Sequence, residues 1–137
     1  MPQKKHATSD QPDHQAPAPR HLLVGQRGEE IAAQHLAAKG LVIVERRAWY
    51  RRGEIDIVAR DGQTWVFVEV KTRSSVRYGI PEASMTPWKL KRMERAVKEY
   101  IWKHNLSAAL IRCDFVGVLL HKDKDPEIRH YPGAFFT

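Results

Sequence analysis

The sequence has one cysteine, Cys113, among its 137 residues. This excludes a disulfide within the chain and a zinc site built from several thiolates, and it fits a reducing cytoplasm. Long apolar runs are also missing, so we expect no membrane span, and the polar N-terminus lacks the apolar core of a signal peptide. The seven histidines are scattered without a metal-binding spacing such as HExxH. We therefore expect a cytoplasmic protein.

Acidic residues are fewer than basic ones: 16 Asp and Glu stand against 23 Lys and Arg, which gives a net charge of +7 and an isoelectric point near 9.8. Such a charge favours a polyanionic partner, with nucleic acid ahead of a membrane surface. Many small proteins are basic for no specific reason, so the positions of the charges matter more than their sum in judging whether the partner is a nucleic acid. The length suits one domain with a modest core.

The N-terminal part predicts a tail followed by a helix. Residues 1–20 are polar, rich in proline and without apolar periodicity, so we expect a disordered tail before a domain at 21–137. A helix is expected from Val24 to Lys39, with Glu29 and Glu30 in its first turn, where the helix dipole favours acids. Gly40 is expected to end it.

The rest of the chain alternates strand and helix signals. A short, well-buried strand is expected at 41–44, and a charged segment at 46–52 follows it. Further strands are expected at 54–60, 63–72, 110–120 and 127–131, with a loop at 73–85 and a helix capped by Thr86 with Pro87 in its first position. The resulting α-β-β-β-α-β-β order predicts an α/β domain with helices packed on a central mixed sheet.

Acidic side chains cluster on the predicted second and third strands. With Asp61-Gly62 as the two loop residues of a hairpin, Glu54 lies opposite Glu69 and Asp56 lies opposite Phe67. Asp56 and Glu69 then become diagonal neighbours on one face, roughly 7–8 Å apart at the backbone. Two carboxylates at such a distance can share one hard divalent cation.

Lys71 lies two residues beyond Glu69 on the same face, where an amine can position an attacking water or hold a phosphate. The alternative is a solvated hairpin face closed by a Glu–Lys pair. The strand is dense in Val and Phe between Val66 and Val70, which indicates burial. Because charged residues on a buried strand are costly, this context favours the metal site.

Gly53-Glu54-Ile55-Asp56 followed by Phe67-Val68-Glu69-Val70-Lys71 resembles the motif of the PD-(D/E)XK nuclease superfamily. More closely, the chain resembles the YraN-like family of small bacterial proteins, which are described as predicted endonucleases and are similar to archaeal Holliday junction resolvases. The resemblance covers about residues 22–137. It extends to Gly28-Glu29, Ala32, Lys71-Thr72-Arg73, Gly79, Pro81, Lys89 and Arg112-Cys113-Asp114.

This resemblance implies a restriction-endonuclease-like α-β-β-β-α-β core with a site for Mg²⁺ or Mn²⁺. Asp56 and Glu69 would be metal ligands, with the backbone carbonyl of Val70 as a third. Lys71 would be the catalytic lysine, and Glu29 the first-helix acid that reaches the metal through water. The junction-cutting relatives act as dimers, so a homodimer is implied as well, although the sequence shows no dimer seam.

Several assignments stay open at this level. Glu30 competes with Glu29 for the role of the first-helix acid, and Glu54 can assist through water or orient arginines. The family tends to have Asn and later Arg after Arg46, whereas this chain has Arg47 and Trp49. This departure affects substrate contacts rather than the metal site.

Basic residues flank the proposed site in the sequence. The segment from Arg46 to Arg52 sets four arginines around Trp49 and Tyr50 and suits phosphate contacts with base stacking. Lys91, Arg95 and Lys98 form a helical stripe for which DNA contact and a solvated face are equally good interpretations. The residues expected to contact nucleic acid are Arg46, Arg47, Arg51, Arg52, Arg73 and Lys89.

Two functions follow as hypotheses. The first is a metal-dependent endonuclease that hydrolyses DNA phosphodiesters, with the branched or irregular DNA of repair and recombination as candidate substrates. The second is a nucleic-acid-binding or adaptor protein that keeps a nuclease fold without its chemistry. Arg112 and Asp114 share a strand face, and we expect a structural ion pair there.

Overall fold

The structure is a computed structural model that describes residues 18–51, 53–77 and 79–135. The predicted tail at 1–17 and Arg52 therefore lie outside the described residues. The elements are α1 (Arg20–Ala38), β1 (Val42–Tyr50), β2 (Gly53–Asp61), β3 (Thr64–Arg73), a short 3-10 helix (Pro81–Ser84), α2 (Pro87–Lys103), β4 (Leu110–Leu119) and β5 (Glu127–Phe135).

The strands form one mixed sheet in the order β1-β2-β3-β4-β5. β3 and β4 are parallel, and the other neighbouring pairs are antiparallel. A parallel pair needs a crossover connection, and α2 supplies it. The predicted class, element order and mixed sheet are confirmed. Among the described residues, no helix has both the length and the apolar character to cross a bilayer.

The helices cover opposite faces of the sheet. Ala32 and Leu36 of α1 pack on Val66, Val68 and Val116. On the other face α2 packs through Met93, Ala96, Val97 and Tyr100 on Val58, Phe67 and Cys113. Because Phe67 alternates with Val66 and Val68, β3 contributes to both cores and is central.

The start of α1 differs from the prediction. The helix begins at Arg20, inside the segment assigned to the tail, with Pro19 as its N-cap and no acid in its first turn. Glu29 and Glu30 therefore lie in mid-helix. The prediction began the helix at Val24 because it required apolar periodicity, whereas the opening turn is exposed and helical without a buried face. The stop at Gly40 fits the left-handed φ of 101° found there.

The first strand was wrongly predicted to be well buried. β1 is an edge strand, Val42 is 63% exposed, and of the expected stretch only Leu41 is fully buried. β1 also continues through the arginine segment to Tyr50. An apolar run can signal burial on both faces, but within the part of the chain that the structure describes, one edge of β1 has no neighbouring strand.

The hairpin register was also wrong. Asp61 pairs with Thr64, so the loop residues are Gly62 and Gln63. Gly62 has a φ of 62° and supplies the positive φ that a tight hairpin turn needs at its first position. Asp61 therefore belongs to the strand, and each residue of β2 pairs with a different residue of β3 from the one predicted.

The alternation of faces in β2 breaks at Asp56. Ile55 packs in the core under α2, while Ile57 packs in the core under α1, although residues two apart on a regular strand share one face. On the paired strand, Arg47 has a left-handed φ of 55° and lies between the pairs Arg46–Ile57 and Ala48–Ile55. Both strands are thus irregular at the level of Asp56.

Asp114 is the one fully buried charged residue among those described. Its carboxylate accepts hydrogen bonds from Arg112 Nε at 2.9 Å, His130 Nε2 at 2.7 Å and the Gly133 amide at 2.9 Å. Burial raises the pKa of Asp114, but these hydrogen bonds outweigh it, so the pKa lies below its usual value. The expected Arg112–Asp114 ion pair is confirmed within β4, and the hydrogen bonds from His130 and Gly133 to Asp114 tie β4 to β5.

We predict that Asp114→Ala lowers the free energy of unfolding by about 3 kcal/mol, because Arg112 and His130 lose a buried partner. The Asp114 contribution is present above the ordinary carboxyl pKa and is lost as pH falls through the lowered folded pKa. Urea unfolding from pH 3 to 7 should therefore show a shallower acid dependence in the variant. Glu127→Ala, which removes an exposed partner of His121, is the control and should change little.

Candidate active site

The candidate site lies where β2 and β3 separate. The last main-chain pair is Ile57–Val68, and one further step brings Asp56 opposite Glu69, directly across rather than on the predicted diagonal. There the Val70 amide donates to Asp56 Oδ2 at 2.8 Å. The Asp56 carboxylate thus accepts a hydrogen bond from a main-chain amide of β3, and an acidic cleft opens beside it.

Burial and like charge raise the pKa of both carboxyls. For Asp56, burial raises the pKa well above its usual value and the charge of Glu69 adds to it, against the hydrogen bond from Val70. Burial likewise raises the pKa of Glu69, while the charges of Lys89 and Lys71 oppose the shift. Two half-buried acids that repel each other are a strong sign of a cation site.

Two further acids act on this pair. Glu29 of α1 and Glu54 of β2 both raise the pKa of Asp56 by their charge. Glu54 lines the cleft with Asp56 and Glu69. It is therefore near enough to assist through water, one of the two roles that the sequence left open for it. We refer to Glu29, Glu54, Asp56 and Glu69 as the acid cluster.

Cations border the acid cluster on the α2 side. Lys89 and Arg92 line the same cleft, held by a helix whose start is fixed by the Lys89 amide donating to Thr86 Oγ1 at 3.3 Å. Lys71 is half-buried, and burial, Lys89 and Arg73 together lower its pKa. Arg92 was not predicted, yet it follows Lys89 by three residues, a spacing that places both on one helix face.

The first-helix acids are engaged with arginines of β1. Arg47 Nε donates to Glu29 Oε1 at 2.8 Å, and Arg46 Nη1 donates to Glu30 Oε1 at 2.6 Å. Glu30 is exposed and is bound by Gln34 as well, so it is the poorer candidate for the site. Glu29 raises the pKa of Asp56 by its charge, but its carboxylate is held by Arg47.

Only some of the residues predicted to contact nucleic acid lie together near the candidate site. Arg46 and Arg47 are bound to acids, and Arg51 is exposed in the turn after β1. Arg73 ends β3, and its buried Nε has no hydrogen-bond partner among the described residues. It lines a groove of about 520 Å³ together with Arg20, His21, Glu29, Lys71 and Ser75. Arg20 was missed because it fell in the predicted tail at 1–20, and His21 was missed because it precedes the predicted start of the first helix at Val24.

The donor set fits a hard divalent cation. Such ions take carboxylate and carbonyl oxygens and often keep several waters, so one or two carboxylates suffice. Asp56 and Glu69 supply oxygen ligands whose repulsion a cation would relieve. In the described ranges, no three His, Cys, Asp or Glu side chains are close enough to hold a metal ion as they stand, which agrees with Glu29 being bound to Arg47.

Comparison with known proteins places the chain in a family. A family model described as "Uncharacterised protein family UPF0102" matches residues 28–118. A UPF0102 protein of Leifsonia xyli subsp. xyli is 44% identical over 110 residues, covering 80% of this chain and 93% of that protein. A UPF0102 protein of Geotalea uraniireducens is 43% identical over 112 residues, covering 82% and 88%.

Among solved structures, the Holliday junction resolvase Hjc of Archaeoglobus fulgidus is similar at 18% identity, over 79% of this chain and 76% of that one, with a TM-score of 0.46. The family match alone covers more than half of this chain, and the relatives span most of it. The expected family membership is confirmed: the chain belongs to the UPF0102 family.

Proposed function

We propose that this protein is a divalent-metal-dependent endonuclease that hydrolyses phosphodiester bonds in DNA. The observation that carries the proposal is the Asp56–Glu69 pair with Lys71 and Lys89 beside it, at the point where the β2–β3 ladder ends. Asp56 and Glu69, with the Val70 carbonyl, would hold Mg²⁺ or Mn²⁺. Such an ion supplies charge neutralisation at a phosphoryl oxygen and a lowered pKa for water.

The chain's own residues would do the rest of the work. Lys71 would donate hydrogen bonds that orient the attacking water or a scissile phosphate oxygen, a role open to an amine beside carboxylates. The water would form the new P–O bond as the bond to the sugar oxygen breaks, and that oxygen would take up a proton. Lys89 and Arg92 would bind neighbouring phosphates.

The substrate strand has a suitable path next to the site. The groove that contains Arg20, Lys71 and Arg73 runs from the acid cluster along the end of β3, and its cations complement a phosphate backbone. Trp49 is 73% exposed and is the cross-strand neighbour of Glu54. An exposed indole in this position can stack on an unpaired base, which favours irregular or branched DNA.

An adaptor without catalysis is the second candidate. It is favoured by the Glu29–Arg47 pair, which leaves the acid cluster without three gathered ligands. Calorimetric titration with Mn²⁺ separates the two, because an adaptor would bind DNA with no heat of metal binding. A nuclease would bind the ion through Asp56 and Glu69.

We predict that Asp56→Asn and Lys71→Ala each reduce cleavage by at least about 100-fold, since one removes a ligand and the other a positioned amine. The measurement is cleavage of four-way junction, single-stranded and duplex DNA with Mg²⁺ or Mn²⁺. Asp61→Asn is the matched control, an acid on the same hairpin that lies at its far end and pairs with Arg112. Equal activity of the wild type and both site variants would contradict the assignment.

A second prediction concerns stability without metal. Asp56→Asn should raise the free energy of unfolding by about 1 kcal/mol at pH 8, because it removes a repelling charge and keeps an acceptor for the Val70 amide. Since the folded pKa of Asp56 is raised, wild-type stability should fall as pH rises from the ordinary carboxyl pKa through that raised value.

The same unfolding measurement tests metal binding. Mn²⁺ at about 100 times its dissociation constant should stabilise the wild type by about 2.7 kcal/mol and should have little effect on the variant. A variant that is less stable than the wild type, yet is stabilised equally by Mn²⁺, would show that Asp56 is a structural acid.

A further inference from the structure

Arg47 is the cation bound to the acid cluster in this structure. Its Nε donates to Glu29 Oε1 at 2.8 Å. The Glu29 side chain is 16% exposed and the Arg47 side chain is 36% exposed. The hydrogen bond and charge of Glu29 raise the pKa of Arg47, and the charges of Glu54 and Asp56 raise it further. One guanidinium thus interacts with three of the four acids.

The backbone of Arg47 is also unusual. Its φ of 55° is the left-handed region, which costs a non-glycine residue roughly 1–2 kcal/mol. Strained residues of this kind persist where the surroundings hold them, often at functional sites. Arg47 lies between the pairs Arg46–Ile57 and Ala48–Ile55, at the level of Asp56, and from this strained position its guanidinium reaches Glu29.

We propose that Arg47 is the built-in counter-ion of the acid cluster and that it exchanges Glu29 for a DNA phosphate when a divalent cation binds. Arg47 thereby acts as a positioning residue that couples metal binding to DNA binding. The inference rests on the proposed function, because it needs the metal site at Asp56 and Glu69. It adds a role for Arg47 and a reason why the Glu29 carboxylate is bound by an arginine in this structure.

Charge competition explains the exchange. A divalent cation at Asp56 and Glu69 repels the Arg47 guanidinium and attracts the Glu29 carboxylate. Both effects weaken the Glu29–Arg47 ion pair. The Arg47 side chain is partly exposed, and its planar fork matches a phosphate as well as a carboxylate. Metal and DNA should therefore strengthen each other's binding by the same factor.

The chain supplies a matched control in the neighbouring residue. Arg46 also pairs with a glutamate of α1, Glu30, through an exposed contact. Glu30 lies outside the acid cluster: its side chain is 51% exposed and is bound by Gln34 as well. Arg46→Gln thus removes the same kind of side chain and ion pair without removing the counter-ion of the acid cluster.

The test measures the affinity of the full chain for a labelled four-way DNA junction with and without Ca²⁺, which like Mg²⁺ binds oxygen ligands. For the wild type we expect Ca²⁺ to tighten DNA binding about tenfold. In Arg47→Gln this factor should fall to about twofold or less. In Arg46→Gln the tenfold factor should remain, whatever the affinity in each condition.

A second readout needs no DNA. In calorimetric titrations, Arg47→Gln should bind Mn²⁺ about fivefold more tightly than the wild type, because the ion no longer competes with the guanidinium. Arg47→Gly should behave in the same way. It removes the side chain while favouring the left-handed backbone, so it guards against a folding defect in the glutamine variant.

The outcomes separate this inference from the proposed function. A Ca²⁺ effect on DNA binding that is unchanged or larger in both Arg47 variants would mean that Arg47 only screens the acids in place, and it would overturn the inference alone. A wild type that binds the junction but neither Ca²⁺ nor Mn²⁺ would overturn the metal site and the inference together.

Discussion

The hydrogen bond from the Val70 amide to Asp56 Oδ2, at 2.8 Å, determines where the acid cluster is placed. At this level a carboxylate replaces a main-chain acceptor, so β2 and β3 stop pairing and a cleft opens between them. Asp56 is held next to Glu69 by the same bond, which also partly offsets the cost of bringing the two charges together. The rest of the sheet has to tolerate this local repulsion, and two cores on opposite faces of β3 supply the necessary stability.

Two buried carboxylate environments in this sheet have opposite electrostatics. Asp114 is surrounded by donors from Arg112, His130 and Gly133, and its pKa is lowered. Asp56 has one donor and three acidic neighbours, and its pKa is raised. A carboxylate that serves structure is satisfied by the chain itself, whereas one left unsatisfied is stable only with help from a bound cation or from a neighbouring arginine.

Much of this arrangement could be predicted from the sequence. Thr86 and Pro87 marked the start of α2, Gly40 marked the end of α1, and the strand and helix signals predicted the order of the elements along the chain. The register was missed because Asp61-Gly62 is a good turn sequence and Gly62 has a positive φ in either register. The Asp61–Thr64 pair shows that Gly62 and Gln63 occupy the turn. The pairing of Glu29 with Arg47 was beyond local patterns, because it joins a helix to an edge strand and depends on an unusual φ at an arginine.

Gly28 shows how packing sets the reach of the acid cluster. It is buried on α1, and a methyl group there would overlap the Thr72 side chain. Thr72 follows Lys71 on β3, so α1 packs tightly against the sheet beside the lysine of the proposed site. Glu29 is the next residue along the helix, and its distance from Asp56 and Glu69 is therefore fixed by a residue without a side chain. A larger residue at position 28 would move the first-helix acid away from the cleft while leaving every charged group of the site in place.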